Sequence, residues 1–295
     1  MANVVVLGAG LGGSIMAYEL KDQLRAGDTL TVITKDPKYH FVPSNPWVAV
    51  NWRKPEDIER LKYTGFETFF LDYRDPVSIK RLVDDVLATS GGTLDALFNN
   101  GGYAQPGAVE DLPMDALREQ FETNVFGWHD LTRRIVPVMR DQGHGRIVFN
   151  SSILGLVPQK WRGAYNASKH AIEGLMLTMR MELEGSGIKV SMINPGAIES
   201  KIAVNAAAMA DKYIDMVNSP HKAHYEERMA LLRSGGKSKA AGKLGPDAVY
   251  VALRHALTSN RPRPHYVITK PAKLAVVLKR ILPASMLYNL MSRWS

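Results

Sequence analysis

Val4-Val5-Val6-Leu7-Gly8-Ala9-Gly10-Leu11-Gly12-Gly13 sets a short β-branched run directly before a glycine cluster, and apolar residues at helical spacing follow over 14–25. A strand, a glycine turn and a helix in that order are the start of a βαβ unit. Gly8, Gly10 and Gly13 fit the spacing of a turn that brings backbone N–H groups to a pyrophosphate at a helix N-terminus. The rhythm continues outward. Short apolar runs at 4–7, 30–33, 68–71, 94–98, 146–149, 189–193 and 266–269 read as strands, and 14–25, 55–63, 77–88, 114–139, 165–184 and 246–257 as helices. Alternation of this kind predicts an α/β protein: one doubly wound, mostly parallel Rossmann-type sheet of about seven strands with helices on both faces, in a single domain over 1–295.

Two stretches break the rhythm. Residues 36–52 form a Pro- and aromatic-rich insert around Phe41-Val42-Pro43-Ser44-Asn45-Pro46-Trp47, too long for an ordinary connection after a second strand. Residues 199–243 follow Asn194-Pro195-Gly196 at the end of a strand, where α/β sheets bind ligands, so a substrate lid is expected there.

Composition narrows the function. The 295 residues are 45% hydrophobic, enough for one large core, and contain no cysteine, which excludes disulfides, thiolate metal sites and redox dithiols. No metal site is expected. The N-terminal run lacks a basic segment and breaks at Gly8, too early for a signal peptide or a membrane span, so a soluble, cytoplasmic protein is expected. The net charge of +8 comes from 37 basic residues interleaved with 29 acidic ones and unaccompanied by any nucleic-acid-binding pattern. It reads as a solvated basic surface, with no nucleic-acid partner.

The chemistry is concentrated in Tyr165-Asn166-Ala167-Ser168-Lys169, with Ser152 upstream. On a helix, a phenol and an ammonium four residues apart share one face. A tyrosine is a poor proton donor or acceptor near neutrality unless a fixed positive charge stabilises its phenolate, and Lys169 is placed to supply one. Ser152 at a strand end can hold a substrate oxygen while Tyr165 exchanges a proton with it, which is carbonyl and alcohol chemistry. Lys35 and Asp36 stand side by side after the second strand, one suited to a ribose 2′-phosphate and the other to a free 2′-hydroxyl. Asp72 reads either as a partner for an adenine amino group or as the cap of the helix after Pro76. The glycines of Asn99-Asn100-Gly101-Gly102 would let the backbone approach a cofactor.

From about residue 53 onward these motifs resemble the short-chain dehydrogenase/reductase family. Leu71-Asp72, Asn99-Asn100-Gly101-Gly102, Asn124-Val125-Phe126-Gly127, Ser151-Ser152, Tyr165-x-x-x-Lys169 and Pro195-Gly196 occur in the family's order. The resemblance implies an oxidoreductase using NAD(H) or NADP(H), with Tyr165 as general acid/base and Lys169 lowering its pKa and gripping the nicotinamide ribose. It also implies that Ser152 orients the carbonyl and that Asn124 holds a water in the proton relay. Asn99 would lie beside the cofactor, Asp72 near adenine, and Pro195-Gly196 against the nicotinamide. The first fifty or so residues instead resemble FAD-dependent sulfide:quinone oxidoreductases, and Trp52-Arg53-Lys54-Pro55-Glu56-Asp57-Ile58 resembles both families. A chimera joined near 52–58 is the expectation, with the flavoprotein's insert left over at 36–52.

Three functions follow as expectations. The first is a hydride transfer between nicotinamide and a hydrophobic carbonyl or alcohol, with NADP(H) favoured because Arg53-Lys54 resemble the basic pair of NADP-preferring members. The second is a catalytically silent chimeric Rossmann protein with impaired cofactor binding. The third, an FAD flavoprotein, is opposed by the absence of cysteines. The segment 271–295 is amphipathic and basic, and suits packing on the core, peripheral membrane contact or a subunit interface. The family resemblance implies a homodimer or homotetramer.

Overall fold

The computed structural model describes residues 3–7, 29–34, 67–200, 202–233 and 243–293. The glycine turn with Gly8, Gly10, Leu11, Gly12 and Gly13, the pair Lys35 and Asp36, the insert 36–52 and the basic pair Arg53-Lys54 lie outside the described residues.

The strands are β1 (Asn3–Leu7), β2 (Thr29–Thr34), β3 (Glu67–Phe70), β4 (Ala96–Asn99), β5 (Gly145–Asn150), β6 (Ile188–Pro195) and β7 (His265–Ile268). They pair in parallel in the order β3-β2-β1-β4-β5-β6-β7, which reverses direction between β1 and β4. In an open α/β sheet, ligands bind beyond the carboxyl ends of the strands at such a reversal. The central strands read as continuous apolar runs because both faces are covered. Period-two alternation divides them. Leu97, Ile147 and Phe149 face one side with Ile79, Trp128 and Met176, while Phe98, Val148 and Ile193 face the other with Leu253 and Tyr266.

The helices, numbered among the described residues, are α1 (Pro76–Thr89), α2 (Met114–Phe121), α3 (Gly127–Asp141), α4 (Gly163–Glu182), α5 (Ile202–Tyr213), α6 (Lys222–Arg233), α7 (Asp247–Thr258), α8 (Lys270–Ile281) and α9 (Ala284–Arg293). The single helix expected over 114–139 is divided: a π-helical turn, Glu122–Phe126, widens the chain between α2 and α3. Apolar spacing cannot register one inserted residue, because both halves keep their own period. The strand expected at 266–269 stops at Ile268, since Thr269 turns to φ 79° and caps α8. Asp72 does not cap α1. The cap is Asp75, whose carboxylate accepts the Val77 N–H at 2.9 Å, whereas Asp72 accepts from the backbone and guanidinium of Arg74.

In the expected lid, α5 and α6 pack together through Ala207, Ala210, Met229 and Leu232. The C-terminal pair α8 and α9 settles on the body by Ala275, Leu287 and Met291 against Val157. Leu274, Val277 and Ile281 face outward. No helix among the described residues is long and apolar enough to cross a membrane.

The cap assignment can be checked directly. Asp75→Ala leaves the Val77 N–H without its acceptor and should cost about 1 kcal/mol in a urea titration. An unchanged midpoint would mean that Asp75 does not cap α1.

Candidate active site

The site is assembled where β4, β5 and β6 end beneath the π turn and α4. Tyr165, Lys169 and Glu173 recur at four-residue spacing on α4, so they form one buried stripe. That stripe meets the turn Ile153–Gly155 at a glycine. A Cβ on Gly155 would lie 2.9 Å from both the Glu173 Cγ and the Ser151 Oγ, and 3.0 Å from the Lys169 carbonyl oxygen. Only a residue without a side chain lets this turn lie flat on the helix, and the approach carries Ser152 to Tyr165. Ser152 is held in extended backbone, its hydroxyl accepts the Leu154 N–H at 3.1 Å, and it stands near enough to the Tyr165 phenol to favour the ionised form.

Lys169 is nearly fully buried, at 3% exposure. Its ammonium donates to the Asn150 carbonyl at 3.0 Å and stands 4.3 Å above the Trp128 ring centroid. Burial pushes it down from the ordinary lysine value to about 7, and the nearby Glu173 carboxylate opposes that fall. The Tyr165 phenol moves the other way. Burial raises it, against the Ser152 hydroxyl and the positive charge of Arg162. The Lys169 ammonium stands 5.6 Å from the phenol ring centroid, and Arg162 is a further positive charge that opposes the rise. Arg162 was not singled out from sequence, although it lies one turn ahead of Tyr165.

Asn124 sits in the π turn, fully buried. Its carboxamide accepts the Tyr103 N–H at 3.2 Å and donates to the Tyr103 carbonyl at 2.9 Å and to the Ser168 hydroxyl at 3.4 Å. The side chain thus clamps the chain after Gly102. The fit is close, since a Cβ on Gly102 would fall 2.8 Å from the Asn124 Oδ1. Gly101 has its carbonyl bound by the Trp128 indole N–H at 2.7 Å. Asn99 is fully buried and donates to Thr132 at 3.1 Å, so its side chain ties β4 to α3. Asp72 is held by Arg74, away from this cluster and beside β3.

A second buried network supports Ser152 from behind. The Asn194 amide donates to Glu173 at 2.6 Å and to the Ser152 carbonyl at 3.2 Å, while its oxygen meets His265 Nδ1 at 3.0 Å. Asn194, Glu173 and His265 come from three elements, which hid the network in the linear sequence. Pro195 ends β6, and Gly196 is forced: a Cβ there would lie 2.2 Å from the Thr269 hydroxyl, the residue held at positive φ.

The short chain dehydrogenase family matches residues 48–211, and the oxidoreductase YbbO of Escherichia coli is 37% identical over 236 residues, covering 80% of this chain and 81% of that protein. The chain belongs to the short-chain dehydrogenase/reductase family. It is an oxidoreductase of that type, and the fold carries with it a nicotinamide dinucleotide. A short-chain dehydrogenase of Streptomyces avermitilis has the same fold, with a TM-score of 0.70 at 26% identity and coverage of 95% of this chain and 92% of that one. A relative from Ornithobacterium rhinotracheale, the NADPH-dependent 3-dehydrocapnine reductase, is 27% identical over 84% of this chain and 88% of that protein.

The residues of this short-chain dehydrogenase fit the cofactor's nicotinamide half. Lys169 makes one direct hydrogen bond and keeps donors in reserve, and the Asn150 Oδ1 and the Ser151 hydroxyl lack partners at the end of β5.

The buried lysine makes stability depend on pH. Because its folded pKa of about 7 lies below the ordinary 10.5, the native state binds fewer protons than the unfolded chain between those values. Its burial therefore costs most below about pH 7, and stability rises with pH across the window. Lys169→Met should gain thermal stability relative to the native protein most strongly near about pH 6, and the advantage should shrink toward about pH 10. Melting curves at the two pH values check this. A difference that does not vary with pH would place the ammonium in solvent.

Proposed function

We propose that this enzyme transfers a hydride between nicotinamide and the carbonyl or secondary-alcohol carbon of a small molecule with an apolar body, Tyr165 passing the proton to or from oxygen. One observation carries the reading: the Ser152 hydroxyl acts on the Tyr165 phenol beside a buried Lys169, at the carboxyl ends of the strands. The anticipated seven-strand doubly wound sheet supports it.

Bound NAD(P)H supplies the hydride. Lys169 and the Gly101-Gly102 backbone would hold the nicotinamide ribose, and Pro195-Gly196 would lie against the ring. Ser152 orients the substrate oxygen toward the phenol. Burial keeps Tyr165 protonated at neutral pH, so its resting form is a proton donor and suits carbonyl reduction. Asn124 would hold a water in the proton relay from its place in the π turn. Arg53-Lys54 and the NADPH dependence of the Ornithobacterium relative support NADP(H) as the preferred form.

The family match begins at residue 48, which supports a junction between two ancestral segments near that point. The outward face of α8 and α9 supports peripheral contact with an anionic membrane, since it joins Leu274, Val277 and Ile281 to Lys270, Lys273, Lys279, Arg280 and Arg293 with no acidic residue between 270 and 293. Sedimentation with phosphatidylserine vesicles tests that contact, and protein left entirely in the supernatant would exclude it.

Tyr165→Phe should lower kcat for carbonyl reduction by about 100-fold or more while NADPH still binds in a fluorescence titration. Undiminished turnover would remove Tyr165 from the mechanism. No binding of NADPH or NADH at millimolar concentration would instead support the catalytically silent chimera.

A further inference from the structure

Beside the site, one layer of side chains from Tyr165, lies a pocket lined by residues of α5 and α6, and its lining has two characters. Ala104 and Ala206, which pack against Tyr165, begin an apolar wall that continues with Met229 and Leu232. Set into it are basic side chains. Arg162 and Arg228 both line the same cavity, with Lys160 at its exposed edge.

Three observations make the two arginines unusual. They repel one another, and Arg162 is pulled below the ordinary arginine value first by burial and then by Arg228. Among the described residues neither meets a carboxylate at ion-pair distance, Glu226 and Glu227 of α6 included, and the acids of the turn before α2 are engaged elsewhere. Glu110 pairs with His221 at 2.5 Å, and Asp111 accepts from Tyr225 and from Ser219, each at 2.7 Å. Finally, the backbone that presents Arg162 is held in an expensive conformation. Trp161 has φ 65°, its carbonyl accepts the Gly107 N–H at 2.9 Å, and its ring stacks on His224 of α6 with centroids 3.9 Å apart. Two like charges held together in a half-buried cavity are costly without a counter-ion, and strain of this kind persists where the surrounding structure enforces it at a site.

We propose that the substrate carries an anionic group, a carboxylate or a phosphate, bound by Arg162 and Arg228, with its apolar chain along Ala206, Met229 and Leu232. This rests on, and sharpens, the reading of a carbonyl reductase with an apolar substrate. The guanidinium fork matches either oxyanion in a two-bond contact. His224 adds no charge at neutral pH, since burial and Arg228 hold it below the ordinary histidine value. The expected molecule is therefore a keto acid or a keto phosphate with an aliphatic body. Because Arg162 also acts on Tyr165, a bound anion would offset its charge and leave the phenol a weaker acid than in the empty pocket, so the anion must settle on Arg228 as well.

Two measurements test the proposal independently of one another. In calorimetry, decanoate or decyl phosphate should bind the purified protein about 10-fold to 100-fold more tightly than decanamide, the margin of a charge-assisted hydrogen bond. Arg228→Gln and Arg162→Gln, with unchanged circular dichroism, should each erase most of that difference. Arg228→Gln is the decisive variant because it lies on α6, away from Tyr165. Equal affinity for decanoate, decyl phosphate and decanamide, or a preference that survives both substitutions, would overturn the anion site. In turnover assays with NADPH, medium-chain keto acids should exceed their methyl esters in kcat/KM, chiefly through KM. Turnover of the esters with no preference for the acids would sink the proposal and leave the reductase reading intact. An anion preference in calorimetry without turnover of any carbonyl would keep the site and reject the reductase.

Discussion

The contact between the Lys169 ammonium and the Asn150 carbonyl joins fold to site. It spans from α4 to the last residue of β5, and at 3.0 Å it is the direct hydrogen bond holding a nearly buried charge. A desolvated ammonium with so little compensation costs stability, and it is kept in place by geometry. Gly155 lets the turn after β5 lie on α4, Trp128 closes the space above the ammonium, and Glu173 one turn further on supplies opposite charge. Loosening any of these would admit water to Lys169 and separate Ser152 from Tyr165, because the same turn carries both alignments.

The supports are themselves polar and buried, which makes the strand ends rigid. Asn194 spends its amide donor on Glu173 and the Ser152 carbonyl and its acceptor on His265, while Asn124 spends its amide on Tyr103 and Ser168. Satisfied networks of this kind specify one arrangement, since each member would otherwise be left unpaired in a low-dielectric interior. Gly102 and Gly196 belong to the same scheme, because a side chain at either would displace Asn124 or Thr269.

Much of the sheet was legible because strands buried on both faces leave continuous apolar runs, and the family motifs fall at their ends. Tyr165, Lys169, Ser152 and Asn124 do converge, since helical spacing and strand-end position are local properties that a sequence displays. What escaped was non-local or smaller than a period. The π turn at Glu122–Phe126 changes the helix by one residue, and the choice of Asp75 over Asp72 as a cap depends on where Arg74 points. The direction of the Asn124 amide, toward Tyr103, is likewise set by tertiary packing. Arg162 and Arg228 are sixty-six positions apart in the chain, so nothing in their spacing announces a shared cavity. The one available hint was Lys160-Trp161-Arg162 immediately ahead of the tyrosine helix.

Apolar patterning across 199–243 led to a lid and to a hydrophobic substrate, and the two inferences differ in what they depend on. The pairing of α5 with α6 follows from burial alone, because the two helices have an apolar seam that must be covered and they cover it with each other. The substrate follows from what remains facing the cavity once that seam is closed. Ala207 is spent on the seam, Ala210, Met229 and Leu232 both close it and line the cavity, Ala206 turns to Tyr165, and α6 contributes Arg228 beside Arg162. Hydrophobicity of the segment therefore reports how the helix pair is built, whereas the selectivity of the pocket rests on the few charged groups that pair leaves uncompensated.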